Sequence, residues 1–326
     1  MKAFIHRGHG LVFTDIEEPV LKEGHVKIRL RSAGLNHRDL NIPKRRGENA
    51  LPLVLGSDGA GIIEEVGDNV SNFNVGDEVV INPGLGWIHN SEAPPEGFEI
   101  VGMPDHGTFA EKIVMDAEYV ERKPIHLNWS EAGVLSLSAL TGFRALFTKG
   151  KLKSDETVFI PGAGSGVATF LIKFAKAHGA RVIVTSRNSE KLVKAKEIGA
   201  DLAIHTDSDW EKELQNEKVD LVIESVGKAT FNRSLSVLKR GGKIVTFGSS
   251  TEDEITINMR MFFYGQYQLL GSTMGSRQEL REMLDFIEKH HIKPVVDKIY
   301  KIEHASDAFH YLRDGRQFGK IAFDIN

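Results

Sequence analysis

The chain has 326 residues, 41% hydrophobic and 26% charged, with a formal net charge of −4. This is an ordinary globular composition with enough length for two domains, and its charge points to neither nucleic acid nor an anionic membrane as partner. Cysteine is absent, which rules out disulfides, a catalytic thiolate and any thiolate-held metal.

His6, Arg7 and His9 stand where the apolar core of a secretory leader would lie. Apolar stretches such as Gly133–Leu140 are too short to span a bilayer. A cytoplasmic protein is expected. The first third reads as β-rich. Val26–Leu30 alternates, and Val54–Val66 and Glu78–Ile81 are strand-like, with turn signals at Gly56, Gly59, Gly61, Gly67 and Gly76. Such punctuation predicts a compact, partly open barrel. Asn82–Pro104, rich in proline and glycine, reads as a surface excursion, and Gly107–Val114 as a return to strand.

From about Pro124 the period turns helical. Asn128 or Ser130 caps one helix, and Ala139–Lys149 forms another. Strands then alternate with helices. The strands are Thr157–Ile160, Arg181–Thr185, Ala203–His205, Val219–Glu224, Lys243–Phe247 and Leu269–Gly271. The helices include Val167–His178, Ser189–Gly199, Asp209–Glu217 and Lys228–Leu238. Short, nearly all-apolar strands imply a parallel sheet covered on both faces, so the fold class is α/β with a doubly wound sheet. Helix Ser276–His290 follows. The tail holds strand-like Ile299–Ile302 and Lys320–Asp324 and is expected to rejoin the first domain. The expected domains are 1–122 completed by 274–326, and 123–273.

The run Gly162-Ala163-Gly164-Ser165-Gly166-Val167 lies between a strand and a helix. Glycines let a backbone approach a pyrophosphate, and a helix N-terminus presents unpaired N–H groups and partial positive charge. These six residues are candidates for dinucleotide binding. Taken alone, they also allow a plain strand-to-helix turn.

Four stretches together resemble the medium-chain dehydrogenase/reductase superfamily across essentially the whole chain. They are Gly34-Leu35-Asn36-His37-Arg38-Asp39, the segment Leu53–Gly76, Gly107-Thr108-Phe109-Ala110-Glu111, and the glycine turn followed by Gly241–Gly248. The resemblance implies an N-terminal GroES-like β-barrel domain and a Rossmann domain. It also implies hydride transfer with a nicotinamide cofactor and a homodimer paired through the Rossmann sheet edge.

In the zinc branch of this family a Cys, a His-Glu pair and a further Cys or carboxylate hold a catalytic metal. Here those positions resemble Asn36, Ser57-Asp58 and the Leu135–Ser138 region with Ser136 and Ser138. Hydroxyl and amide groups are poor zinc ligands. His37, Asp39, Asp58 and His106 are the residues from which a replacement site could be built. The chain is similar to the zinc-free, quinone oxidoreductase-like branch, and no metal is expected. Without a Lewis acid, hydride addition to a quinone or α,β-unsaturated carbonyl is easier than alcohol oxidation, because the incoming charge delocalises. The alternatives are an alcohol or aldehyde dehydrogenase of the same fold, or a nucleotide-binding protein without turnover.

The second nucleotide-domain strand ends in Thr185-Ser186-Arg187-Asn188, with Lys191 beyond and no carboxylate before Glu190. An acidic residue there would favour NAD; Ser186, Arg187 and Lys191 favour the 2′-phosphate of NADP(H). Asn36 and Asp39 are the candidate catalytic residues, Asn36 also a cofactor candidate; Asp39 is placed either to orient Asn36 or to anchor the loop with Arg38. Thr141, Phe247-Gly248-Ser249, Thr273-Met274 and Lys320 resemble cofactor-lining positions of the family. His37, Tyr264 and Tyr267 are proton-donor candidates by chemistry. Trp87, Phe98 and Phe262-Phe263 could line a substrate pocket.

Overall fold

The structure, a computed structural model, describes residues 1–47 and 49–325. In chain order it comprises β1 (Lys2–Arg7), β2 (Gly10–Asp15), β3 (His25–Leu35), α1 (His37–Arg46), β4 (Leu53–Val54), β5 (Asp58–Val66), β6 (Glu78–Ile81), β7 (Gly84–Leu85), β8 (Glu99–Ile100), β9 (Lys112–Asp116) and β10 (Val120–Arg122). Then come α2 (Trp129–Ala132), α3 (Ser136–Phe143), β11 (Thr157–Pro161), α4 (Gly166–His178), β12 (Arg181–Ser186), α5 (Ser189–Glu197), β13 (Leu202–His205), α6 (Trp210–Glu213), β14 (Val219–Glu224) and α7 (Phe231–Val237). The chain closes with β15 (Leu238–Thr246), α8 (Met259–Gly265), β16 (Gln268–Gly271), α9 (Arg277–Lys289), β17 (Val296–Lys301), α10 (Ala305–Arg313) and β18 (Lys320–Asp324).

Two compact units emerge, Met1–Leu140 with Gly275–Asn326, and Thr141–Met274. The first unit therefore extends past the expected boundary at 122. Its extension packs locally, with α2 against β3, β5, β17 and β18. As expected, the tail returns to it, and β18 pairs antiparallel with β3.

In the first unit the largest sheet runs β10-β6-β5-β3-β18-β17, with β9 also on β3. Its core includes Ile28, Leu30, Phe109, Phe309 and Phe323. Phe109 meets Phe323 edge-on at 4.8 Å and Phe309 at 6.3 Å. The segment Asn82–Pro104 is not purely superficial. Its β7 and β8 pair, and Trp87 is buried edge-on against Phe98 at 5.3 Å. The expected strand from Gly107 begins only at Lys112. The N–H groups of Gly107, Thr108 and Phe109 instead donate to the carbonyls of Val54, Gly56 and Leu55 outside any strand ladder.

In the second unit six parallel strands run β13-β12-β11-β14-β15-β16. The chain starts in the middle at β11, winds outward to β13, then returns to continue on the other side from β14. The carboxyl ends of β11 and β14 thus flank the point where strand order reverses, the general ligand crevice of such sheets. Phe159, Ile183, Val222 and Trp210 belong to the core, with Phe159 and Trp210 rings 5.0 Å apart. Three helices differ from expectation. The one expected over Asp209–Glu217 stops at Glu213 because Gln215 and Asn216 turn left-handed. The one expected from Lys228 starts at Phe231, because the Glu224 carboxylate takes the N–H groups of Val226 and Gly227. The helix expected to reach Lys149 changes to a π-helix at Arg144. Among the described residues no helix is long and apolar enough to cross a membrane.

Candidate functional site

The glycine turn in the second unit is tied down at its base. Gly162 has φ +81°, and its N–H and that of Ala163 both donate to the Thr185 carbonyl, at 3.0 and 2.9 Å. Ser165 caps α4, its hydroxyl accepting the Ala168 N–H at 3.1 Å. The first helical N–H groups, those of Gly166 and Val167, have no intrahelical partner and point out of the helix end. With the helix dipole they form an anion seat. A Cβ on Gly164 would lie 2.6 Å from Lys191 Cδ and 3.1 Å from its Nζ. The Lys191 side chain of α5 therefore lies over the turn, beside the N-terminus of α4.

Ser186 ends β12 buried, its hydroxyl accepting the Asn188 N–H at 3.1 Å, while Arg187 is exposed. Phe247, Gly248 and Ser249 follow β15; the Ser249 hydroxyl donates to the Glu252 carbonyl. Exposed Thr273 and buried Met274 follow β16. Because the sheet is parallel throughout, all these residues share its carboxyl edge. Thr141 is buried within α3 and belongs to no strand end.

The first unit holds a second constellation. Asn36 precedes α1 as its N-cap, and its backbone N–H donates to Asp39 Oδ2 at 2.8 Å, so Asp39 fixes the backbone at the start of the helix. The Asn36 amide nitrogen donates to Asp58 Oδ2 at 3.0 Å and to the Gly34 carbonyl at 3.3 Å. Its Oδ1 accepts from Lys320 Nζ at 2.5 Å and from the Ser138 hydroxyl at 3.3 Å. Lys320 also donates to Asp58 Oδ2 and Ser138 Oγ, each at 3.2 Å. Asp58 Oδ1 accepts the Leu137 N–H at 2.7 Å. The amide orientation follows from its neighbours, oxygen toward the ammonium and nitrogen toward the carboxylate. Lys320, expected beside the cofactor, thus ends on three oxygens of its own unit.

Two glycines bring these segments together. A Cβ on Gly34 would lie 2.7 Å from the Gly133 carbonyl, and one on Gly133 would lie 2.4 Å from Ser32 Oγ. Backbone therefore packs on backbone, which carries Leu137 and Ser138 to Asn36. Asp39 is fully buried, and burial pushes its carboxyl up to about 7 despite the Arg38 guanidinium and the Asn36 N–H. Ser57 faces elsewhere. Its hydroxyl donates to the Val101 carbonyl at 2.7 Å and accepts from Arg38.

Asp58 and Ser138 stand out in the sequence only as positions matching metal-ligand regions of the family, not as partners of Asn36 and Lys320. Those positions now offer an amide, a carboxylate and a hydroxyl surrounding an ammonium, a donor set that does not fit zinc. The replacement set does not assemble either. His37 is exposed and His106 Nδ1 accepts the Val54 N–H at 3.1 Å. Among the described residues no three His, Cys, Asp or Glu side chains are grouped to hold a metal ion. Of the proton-donor candidates, Tyr264 is exposed and the Tyr267 hydroxyl donates to the Leu238 carbonyl at 3.4 Å.

Comparison with known proteins gives a family. Residues 22–125 match the alcohol dehydrogenase GroES-like domain and residues 166–289 the zinc-binding dehydrogenase domain. A zinc-type alcohol dehydrogenase-like protein, YogA, of Leptosphaeria maculans is 33% identical over 95% of this chain and 93% of its own length. The chain belongs to the medium-chain dehydrogenase/reductase superfamily. An alcohol dehydrogenase of Geobacillus stearothermophilus is 30% identical over 96% of this chain and 95% of its own. The solved structure of an NAD-dependent alcohol dehydrogenase superposes with TM-score 0.94 at 34% identity, covering 100% of both chains. This superfamily member is an alcohol dehydrogenase-like oxidoreductase with a GroES-like domain and a Rossmann sheet.

Proposed function

We propose that this oxidoreductase transfers hydride from NADPH to a quinone or an α,β-unsaturated carbonyl without a metal ion. One observation carries the reading. The positions matching the family's metal-ligand regions are occupied by Asn36, Asp58 and Ser138, closed around the Lys320 ammonium. Acceptors whose charge delocalises on reduction need no Lewis acid to polarise them.

The dinucleotide pyrophosphate would sit on the N–H groups of Gly166 and Val167, with Lys191 above. Bound NADPH supplies the hydride. Arg187, exposed beyond β12 with no carboxylate before Glu190, supports NADP(H) over NAD(H). Two copies would pair along β16, an edge strand that carries the exposed Leu269 and follows the exposed Phe263 and Tyr264.

A second reading, alcohol dehydrogenation, draws on the relatives named as alcohol dehydrogenases, one of them NAD-dependent. Steady-state kinetics with a quinone, an alkenal and simple alcohols, each with both nicotinamides, separates the two. The proposal expects turnover of the first two with NADPH. Turnover of alcohols alone would sink it.

A further inference from the structure

We propose that the Lys320 ammonium takes the place of the metal ion as a fixed internal cation, acting on the reaction as a positioning residue. The inference rests on the metal-independent reading above and names the group that makes it workable.

The geometry is specific. Asn36, Asp58 and Ser138 come from three separate segments and converge on one nitrogen, and each occupies a position that matches a metal-ligand region of the family. The register of β18 on β3 places Lys320 next to Asn36, since Ile321 pairs with Leu35. Gly319 makes that register possible. Its φ is +100°, and a Cβ there would lie 2.4 Å from the Val295 carbonyl oxygen. The ammonium is desolvated, with Lys320 3% exposed and Asp58 0%. Burying such a charge is costly unless every donor is matched. Here three N–H groups meet three oxygens.

That closure also defines the mode of action. No ammonium hydrogen remains for a substrate, so Lys320 is not a proton donor. It acts by its charge and by holding the Asn36 amide and the Ser138 hydroxyl in one orientation. A fixed charge in a dry site costs no reorganisation as the reaction proceeds.

The test compares the wild type with Lys320→Ala and with the paired change Lys320→Met/Asp58→Asn, measuring kcat, KM for NADPH, thermal stability and bound zinc. Lys320→Ala should lower kcat by about a hundredfold, the scale of losing one fixed electrostatic group, with KM for NADPH nearly unchanged. Propylammonium should restore part of kcat saturably, and uncharged propanol should not. The paired change, which removes both charges, should recover stability but not kcat. Wild-type kcat in either variant, recovery of kcat by the paired change, absence of amine rescue, or failure of both variants to fold would overturn the inference. Failure of the metal-independent reading looks different. The wild type itself would then carry zinc and lose activity on chelation.

Discussion

Asn36 and Lys320, 284 residues apart, meet at 2.5 Å because β18 lies in register against β3. The meeting depends on Gly319, whose φ of +100° and contact with the Val295 carbonyl exclude a side chain. Gly319→Ala should cost about 1–3 kcal/mol in urea unfolding, the usual scale of forced backbone strain. It should also reduce turnover by displacing Lys320. A variant as stable and active as wild type would show that the register tolerates a side chain there.

Asp39 gives a pH signature. Its folded carboxyl sits near 7, above the ordinary 3.8, chiefly because it is buried. Between those values the unfolded chain has released this proton while the folded chain keeps it. Stability owed to Asp39 is therefore full at low pH and is lost as pH rises through that window, by at most about 1.4 kcal/mol per pH unit. Asp39→Asn cannot ionise and retains an oxygen for the Asn36 N–H. Urea unfolding between pH 4.5 and 7 should show the variant gaining on the wild type as pH rises. Parallel profiles would contradict the assignment.

Much of this architecture is legible in the residues. β6, β14 and β18 match their expected ends because each is an apolar run bounded by turn or charged residues. The glycine turn and its helix lie where the spacing puts them. Other elements hide. α1 contains Pro43 and buries only Asp39 and Ile42, so no apolar period announces it. α10 buries Ala305, Ala308, Phe309 and Leu312 at helical spacing, yet only strands were expected in the tail. Asn36 and Lys320 each stand out as candidates, but their partnership is a consequence of strand register. Asp58 joins them through the pairing of β5 with β3, which sets it opposite Gly34, and Ser138 through the close approach of Gly34 and Gly133; sequence spacing encodes neither.

Arg187 should select the cofactor. Charge-assisted hydrogen bonds contribute about 1.5–3 kcal/mol, so Arg187→Ala should raise KM for NADPH about ten- to a hundredfold and leave NADH nearly unaffected. Equal loss with both cofactors would remove Arg187 from 2′-phosphate recognition.

The edge strand β16 and the exposed Phe263, at 51%, lead us to expect a homodimer. Light scattering should give twice the 36.2 kDa chain mass, and Phe263→Glu should shift it toward the monomer. A monomeric wild type at micromolar concentration would exclude this pairing.

The most direct test of metal-independent reduction is the NADPH-dependent rate with a quinone or alkenal before and after exhaustive chelation, with zinc counted in the same samples. Far less than one zinc per chain and an unchanged rate are expected. One zinc per chain, with activity lost on chelation and restored by zinc, would contradict metal-independent reduction.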